Sequence, residues 1–496
     1  YPNFLKSVAM TQTAWEVLKV KYQYKILSTL SMKYYQTILN NNENTFIISF
    51  MGSSVTAGHD SPFNKSFPIL TGELMAPAFQ PLGINVISRN AAMGNNPCVP
   101  YDMCPRAFAG LDADIVHWEQ TYNCGGYDEN RRNVFEQFIR QSISLPSHPI
   151  VVFMESSVPN WKKEDCDGKS TGDPNISDKD KQLLKYINEN PIKVVSELNI
   201  GAIKESWSAN LETFKEYKVA GIQLWNHKFY EEYKCRGPYT ADWGCCSASW
   251  HPSLKGHELS ASHYAYFWLL IYKDALQTLI NSPNESTIES LLKDVKRHLD
   301  AEAKHLPPSA IYSGHYADSL QCFTTFQPIA NQQANLNSLI IPNSDSSKQF
   351  KLDIFENFVD KNIITKARSR GYLDYKYMLY GNSQSNDPLS LRIHINKEGY
   401  GFICQPPGNW GVYPDKFTSF WLANTVIYII ENTNNNDNNF VFDKNKAKLL
   451  SYTPQNPKDT QFVCAEFNDQ FKDGDHILTI VPQSEKNIMI SYLLLP

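Results

Sequence analysis

The chain has 496 residues, a formal net charge of −5 at pH 7 and 42% hydrophobic residues. This length suffices for two or three domains with large cores, and the absence of a basic block excludes nucleic acid as an expected partner. No apolar run reaches the roughly 18 residues of a membrane span. The nearest runs, 264–280 and 420–430, predict a core helix and a core strand. The first residue is Tyr1, which fits a processed chain that has lost a signal peptide, or an incomplete start.

Ten cysteines and three glycosylation sequons bear on the compartment. The cysteine number is even and no CxxC pair occurs, so the pattern favours disulfides over a zinc site. The Asn-x-Ser sequons begin at Asn64, Asn175 and Asn284, although such triplets also arise by chance in a chain rich in asparagine. Together these features predict a secreted or extracellular glycoprotein that contains disulfides.

Short apolar strands alternate with helical patterns after a polar N-terminal region. Residues 1–44 are predicted to form a helical extension. Strands are expected at 46–51, 84–87, 114–118 and 150–154, and helices at 131–144 and 181–188. This alternation is typical of parallel βαβ units. The polar stretch 155–177 predicts a long surface loop, of a kind that often serves as a lid.

Two long helical patterns close the first domain, which is expected to span 45–310. They cover 254–280 and 287–305. From 319 to 496 the pattern changes to short alternating strands with turn signals between them, at 350–354, 389–395, 425–430, 476–481 and 488–494. This region predicts a β-sandwich or jelly roll. The run 432–439, almost wholly asparagine and aspartate, predicts a loop tip.

Four separated segments carry residues suited to chemistry. GSSVTAG at 52–58 follows an apolar strand as a tight turn that exposes a hydroxyl, and ISRNAAMGN at 87–95 leaves a strand for a glycine turn. DIVHWEQTYN at 114–123 ends a strand in an asparagine, and WHPSLKGH at 250–257 precedes a helix. Ligands of open parallel sheets bind outside the carboxyl ends of the strands. The first three segments are therefore expected at one sheet edge, with the fourth folded over it.

The order and residue types of these segments resemble the GDSL/SGNH hydrolase superfamily, over roughly residues 46–265. The resemblance implies a three-layer α/β domain with a parallel sheet and a serine esterase activity without metal or cofactor. It implies that Ser54 is the nucleophile and that His251 accepts its proton. The oxyanion would then be held by the Ser54 and Gly94 backbone N–H groups and by the Asn123 side-chain amide.

The chain departs from the family pattern at two positions. Ser53 stands where an aspartate is common, and Ala248 stands three residues before the histidine, where the family usually has the aspartate that orients it. Asp242 is the nearest upstream carboxylate in the same loop. Asp242 is a candidate for the catalytic acid, and a backbone carbonyl in a catalytic dyad is an equal alternative.

Structural roles are also available to several of these residues. Asn123 suits a turn and Gly94 suits a positive φ. His117 and Trp118 are expected in the core, and His257 is expected to pack or cap within its helix.

The sequence predicts a secreted serine esterase that acts on a small-molecule or glycan ester, such as an acyl group attached to a glycan or a lipid. Aromatic residues suited to stacking on sugar rings, but more often found in a core, are Trp410, Tyr413 and Trp421. The rival interpretation is a non-catalytic glycan-binding or structural extracellular protein that retains the fold, which the alanine at 248 favours. A nucleotide-binding loop is disfavoured because 52–58 lacks the Gly-Lys-Ser/Thr ending. The oligomeric state stays open.

Overall fold

Five strands form a parallel sheet in the first half of the chain. The structure is a computed structural model that describes residues 45–59, 61–94, 96, 98–120, 129–155, 220–223, 236–237, 247–248, 251–252, 254–281, 290, 293, 297, 320–354, 375–406, 425–431, 440–454 and 464–496. The strands of this half are β1 (Thr45–Gly52), β2 (Asn85–Asn90), β3 (Ile115–Glu119), β4 (Ile150–Glu155), β5 (Ala220–Gln223), β6 (Arg236–Gly237), β7 (Ser247–Ala248) and β8 (His251–Pro252). The helices are α1 (Ser54–Ala57), α2 (Phe67–Phe79), α3 (Cys98–Tyr101), α4 (Pro105–Phe108), α5 (Glu129–Ile143) and α6 (Leu254–Ile280).

The parallel sheet has the strand order β2-β1-β3-β4-β5, and every neighbouring pair runs parallel. Strand β1 lies between β2 and β3 and is buried along almost its whole length, as expected for a strand covered on both faces. The strands predicted at 46–51, 84–87, 114–118 and 150–154 are confirmed as β1 to β4, with ends that differ by no more than three residues. The predicted parallel sheet is therefore correct.

Aromatic side chains attach helices α2 and α6 to this sheet. Phe46 of β1 packs on Phe79 of α2 at 5.0 Å between ring centroids, and Phe79 stacks on Tyr272 of α6 at 4.4 Å. On the neighbouring strand β3, Trp118 stacks instead on Phe138 of α5 at 4.3 Å. Successive strand residues point to opposite faces. Phe46 and Trp118 point to opposite faces of their strands, so α2 and α6 pack on one set of strand side chains and α5 packs on the other.

Helix α2 is absent from the sequence predictions. Its two prolines are strong helix breakers in most settings, but Pro68 lies in the first turn, where its missing N–H costs nothing. Pro77 lies in the last turn, so only a short stretch of helix follows it. Tertiary packing of Phe67 and Phe79 in the core supplies the stability that the local sequence does not indicate.

His117 lies in the core, as predicted, and its Nε2 is 2.5 Å from the Tyr264 hydroxyl oxygen. Burial lowers the pKa of His117 to about 3, against about 6.5 in an unfolded chain. Because the folded-state pKa is the lower one, the unfolded chain gains a proton between these values that the folded chain does not bind. His117 therefore destabilises the fold as the pH decreases through this range.

Replacing His117 with glutamine is expected to reduce the loss of unfolding free energy that acidification causes. Glutamine keeps a polar group for the Tyr264 hydroxyl but does not titrate. Between pH 7 and pH 5 the wild type should lose about 2 kcal/mol of unfolding free energy that His117→Gln retains. Urea unfolding at the two pH values measures the difference. Equal losses in both proteins would contradict a neutral, buried His117.

The C-terminal half consists of antiparallel strands and short 3-10 helices. The strands are β9 (Gln321–Thr324), β10 (Lys351–Ile354), β11 (Tyr377–Gly381), β12 (Leu389–Ile395), β13 (Phe402–Cys404), β14 (Thr425–Glu431), β15 (Lys448–Leu450), β16 (Tyr452–Pro454), β17 (Cys464–Phe467), β18 (Gly474–Pro482), β19 (Ile488–Ile490) and β20 (Tyr492–Leu495). They form sheets in the orders β10-β11-β19, β12-β18-β14-β15 and β16-β17-β13-β20-β9. Leu391, Ile427 and Leu493, each from a different strand, belong to one buried core.

The prediction of one continuous strand at 488–494 is wrong. The chain divides at Ser491 into β19, which pairs with β11, and β20, which pairs with β13 and β9. The Ser491 N–H donates to the Cys404 carbonyl at 2.9 Å, and its carbonyl accepts from the Thr325 N–H at 3.0 Å. This stretch therefore changes sheet at one residue, which an alternating sequence pattern does not reveal.

The described residues divide into two units. One contains the described residues of 1–94 and 111–311, and the other contains those of 95–110, 312–369 and 373–496. The short segment Asn95–Gly110 thus belongs to the β-rich unit. There Cys104 forms a disulfide with Cys322, 218 residues away, and Cys404 pairs with Cys464. Among the helices that the structure describes, none is long and apolar enough to cross a membrane.

Candidate active site

Ser54 begins a short helix at the carboxyl end of β1, an interior strand of the parallel sheet. Ser53 is the N-cap of α1, where its hydroxyl accepts from the Val55 N–H at 3.2 Å, and the helix ends at Gly58 in the left-handed conformation with φ 86°. Ser53 is 1% exposed, whereas Ser54 is partly exposed. Of the two adjacent serines, therefore, the second is the accessible one and the first is occupied in holding the turn.

A buried carboxylate from the neighbouring strand holds this turn. Glu119 ends β3, and its Oε2 accepts from the Ser53 hydroxyl at 2.6 Å, from the Thr56 hydroxyl at 2.9 Å and from the Ser53 N–H at 3.2 Å. The Ser53 N–H also donates to the Glu119 carbonyl at 2.7 Å. Burial of a carboxylate is tolerated when several donors satisfy it. Glu119 is therefore an integral part of the serine turn.

The segment that carries Gly94 runs beside the same turn. The Ala91 N–H donates to the Phe50 carbonyl at 3.0 Å and the Met93 N–H to the Gly52 carbonyl at 2.9 Å, so the chain continues along β1 beyond the end of β2. The Asn90 amide donates to the carbonyls of Thr56 and Ala57 at 3.1 and 3.3 Å. The serine and glycine segments are thus joined by hydrogen bonds.

Gly94 lies close to the side chain of His59. Its φ is not among the positive values of the described glycines, so the alternative that it serves a positive φ is wrong. A Cβ at this position would instead fall within the imidazole ring of His59. His59 follows the C-cap of α1, and its N–H donates to the Ser54 carbonyl at 3.0 Å. The structure therefore places a second, partly exposed histidine beside the candidate oxyanion glycine.

The backbone of the predicted catalytic histidine lies against the serine helix. His251 begins β8, and Cα atoms of β8 lie within 8 Å of Cα atoms of α1. Strand β8 pairs with β7, in which Ala248 is the residue directly opposite His251. The position at which the family usually has the acid therefore adjoins the histidine, and in this chain it carries a methyl group.

The remaining predicted site residues have different outcomes. Asn123 and Asp242 lie outside the described residues. His257 is fully buried; its Nδ1 accepts from the Phe67 N–H at 3.2 Å and its ring stacks on Phe67 at 6.0 Å. The predicted packing role of His257 is confirmed, but the predicted cap within its own helix is wrong, because the His257 ring caps the N-terminus of α2.

Sequence reasoning missed Glu119, Asn90 and His59. Each follows or ends an element that the sequence does predict, and a polar residue at the carboxyl end of a buried strand is the signal that marks Glu119 and Asn90. His59 directly follows the glycine of the serine segment. Within the described parts of the chain, no group of three His, Cys, Asp or Glu side chains is arranged to bind a metal ion.

No protein-family profile and no curated protein sequence matches the chain. Solved structures that resemble it include a two-domain esterase active on acetylated mannans, with 12% identity and a TM-score of 0.44 over 99% of this chain and 97% of that one. The same esterase co-crystallised with mannopentaose gives 13% identity and a TM-score of 0.43, with the same coverage of both chains. A protein from Parabacteroides merdae named as a GDSL-like lipase gives 15% identity and a TM-score of 0.29 over 46% of this chain and 98% of that one. The resemblance of this chain to the GDSL/SGNH hydrolase superfamily therefore rests on its four sequence segments.

Proposed function

We propose that the protein is a secreted serine esterase that hydrolyses carboxylic esters through an acyl group on Ser54. The observation that carries this proposal is the position of Ser54. It is partly exposed at the carboxyl end of the interior parallel strand β1, with the Gly94 segment on one side and the backbone of His251 close to its helix. Sites of open parallel sheets lie at this edge. We infer a three-layer α/β arrangement for this half and a β-sandwich for the C-terminal half.

The reaction assigns one role to each residue. His251 takes the proton of the Ser54 hydroxyl as the oxygen attacks the ester carbonyl carbon, and it then gives that proton to the departing alcohol. Water attacks the acyl-serine in the second half of the cycle. The Ser54 and Gly94 N–H groups and the Asn123 amide hold the oxyanion. The Ser53 N–H is already bonded to Glu119, which supports this assignment of donors.

The acid is the least conventional part of this site. Since Ala248 lies opposite His251, the usual position supplies no carboxylate. We propose Asp242 for this role, with a backbone carbonyl in a dyad as the alternative. The same observation favours the second candidate function, a non-catalytic glycan-binding protein that retains the fold. The two candidates differ in whether Ser54 reacts.

The substrate class that we propose is an acyl ester on a glycan or lipid, with no nucleic acid partner. Short aryl esters and acetylated mannan are the substrates to assay. Secretion is supported by the disulfides Cys104–Cys322 and Cys404–Cys464, since such bonds persist in oxidising compartments. Asn64, the sequon asparagine within the described residues, is exposed and therefore sterically suited to glycosylation.

Mapping a fluorophosphonate adduct tests the proposed function. The probe phosphonylates an activated serine with loss of fluoride, and peptide mass spectrometry locates the modified residue. We expect one adduct, on Ser54, and prior denaturation should abolish it. Labelling of Ser53 or another serine would contradict the assigned nucleophile. Absence of any adduct, together with specific glycan binding, would support the non-catalytic alternative.

A further inference from the structure

The carboxylate of Glu119 contacts the chain on both sides of Ser54. Its three donors to Oε2 are the backbone N–H and hydroxyl of Ser53, one residue before, and the hydroxyl of Thr56, two residues after. The side chains of Glu119, Ser53 and Thr56 are all buried, at 0%, 1% and 0% exposure. Ser54 itself is the partly exposed residue between them. The buried groups therefore form a support beneath the accessible serine.

This support leaves little space for movement. Gly52 pairs with Glu119 in the sheet, and a Cβ on Gly52 would meet the Thr56 Cβ at 2.6 Å and the Glu119 carbonyl oxygen at 2.9 Å. Helix α1 has only four residues, and so short a helix has almost no stability of its own. Its geometry therefore depends on contacts such as those with Glu119 and on the Ser53 cap.

We propose that Glu119 is a positioning residue of the Ser54 site, which acts through Ser53 and Thr56 to fix the direction of the Ser54 hydroxyl. This inference rests on the proposed function. Hydrogen bonds to an ionised carboxylate are shorter and stronger than those between neutral groups, and they gain further strength where water is excluded. A misplacement of a reacting group by about 1 Å can cost about 10²-fold in rate. A carboxylate that holds the turn therefore contributes to turnover without contacting substrate.

A graded series of variants tests this role. Glu119→Gln keeps an acceptor oxygen but removes the charge, and Glu119→Met removes the acceptor at similar volume. We expect kcat on an aryl acetate to decrease about tenfold in Glu119→Gln and about 10²-fold in Glu119→Met. KM should stay within about twofold, because Glu119 is buried beneath the turn and is not assigned a contact with the ester. The rate of fluorophosphonate labelling should decrease in parallel with kcat.

Asp114 provides a matched control at the other end of the same strand. It is a buried carboxylate just before β3, and its Oδ2 accepts from the backbone N–H of Ile47 on β1 at 2.9 Å. It therefore joins the same two strands as Glu119, but at their amino ends, away from Ser54. Asp114→Asn should lower the urea midpoint while leaving kcat unchanged. If it lowered kcat as much as Glu119→Gln, a purely structural role would explain both residues and the proposal would be overturned.

Thr56 allows the test to proceed even if the Glu119 variants do not fold. Thr56→Ser keeps the hydroxyl that donates to Glu119, whereas Thr56→Val removes it at similar shape. We expect Thr56→Ser to retain wild-type kcat within about twofold and Thr56→Val to lose about three- to tenfold, with unchanged KM. Equal kcat values in these two variants would overturn the positioning role.

The outcome separates this inference from the proposed function. If Ser54→Ala is inactive while Glu119→Gln and Thr56→Val both turn over at the wild-type rate, the esterase assignment stands and the positioning role is overturned. If Ser54→Ala retains full activity, the proposed function is overturned, and this inference is overturned with it. Loss of kcat in both variants, with Asp114→Asn unaffected, supports Glu119 as a positioning residue.

Discussion

Replacing Ser54 with alanine is expected to lower kcat on an aryl ester by about 10⁵–10⁶-fold, the range found when a nucleophilic serine is removed. The acyl intermediate has no other attachment point in the proposed mechanism. The fold should be unaffected, because Ser54 is partly exposed in the first turn of α1 and the N-cap bond belongs to Ser53. Alanine is also the best helix former. Initial-rate kinetics together with thermal unfolding measure the two effects separately.

Ser262→Ala is the control for this experiment. Ser262 is exposed on α6, and its hydroxyl donates to the Glu258 carbonyl of the same helix at 2.8 Å. Its removal should change neither kcat nor the melting temperature. An active Ser54→Ala variant, together with an inactive Ser53→Ala variant, would show that the nucleophile is Ser53 and not Ser54. The hydrogen bonds of Ser53 argue against that result, since its hydroxyl already donates to Glu119.

The parallel sheet could be predicted because its signals are local. Strand β1 is a continuous apolar run followed by a glycine turn, and α6 is a long amphipathic pattern whose bounds match the prediction. Helix α2 could not be predicted, because two prolines outweigh its local helical signal and only the packing of Phe67 and Phe79 compensates for them. Elements with a clear local pattern, such as β1 and α6, could therefore be predicted, whereas α2 depends on tertiary contacts that the local sequence does not indicate.

The chemistry of the site is only partly visible in sequence. The serine and glycine segments each have a local pattern, and their order indicates that they meet. The bond between Ser53 and Glu119 joins residues 66 positions apart, and neither residue signals the other. The contact of His59 with Gly94 is likewise a product of folding. The sequence therefore predicts Ser54 as the nucleophile, whereas the residues that hold its turn are visible only in the three-dimensional arrangement.

Replacing His251 with alanine is expected to lower kcat by about 10⁴–10⁶-fold, because the Ser54 hydroxyl is a weak nucleophile without a base. The backbone of β8 lies close to α1, which supports His251 for this role. The wild-type pH profile of kcat/KM should show an acid limb from a titrating imidazole. The residual activity of His251→Ala should rise with hydroxide concentration and lack that limb. Steady-state kinetics from pH 5 to pH 9 provide the test.

His59 is the second histidine that could act as the base for Ser54. Its ring contacts Gly94, and its N–H donates to the Ser54 carbonyl, so it lies at the same turn. If His251 is the base, His59→Ala should lower kcat far less than His251→Ala and should retain the acid limb. The reverse ranking would transfer the base role to His59. It would also explain why Ala248 is tolerated, because the residue opposite His251 would then have no catalytic imidazole to orient.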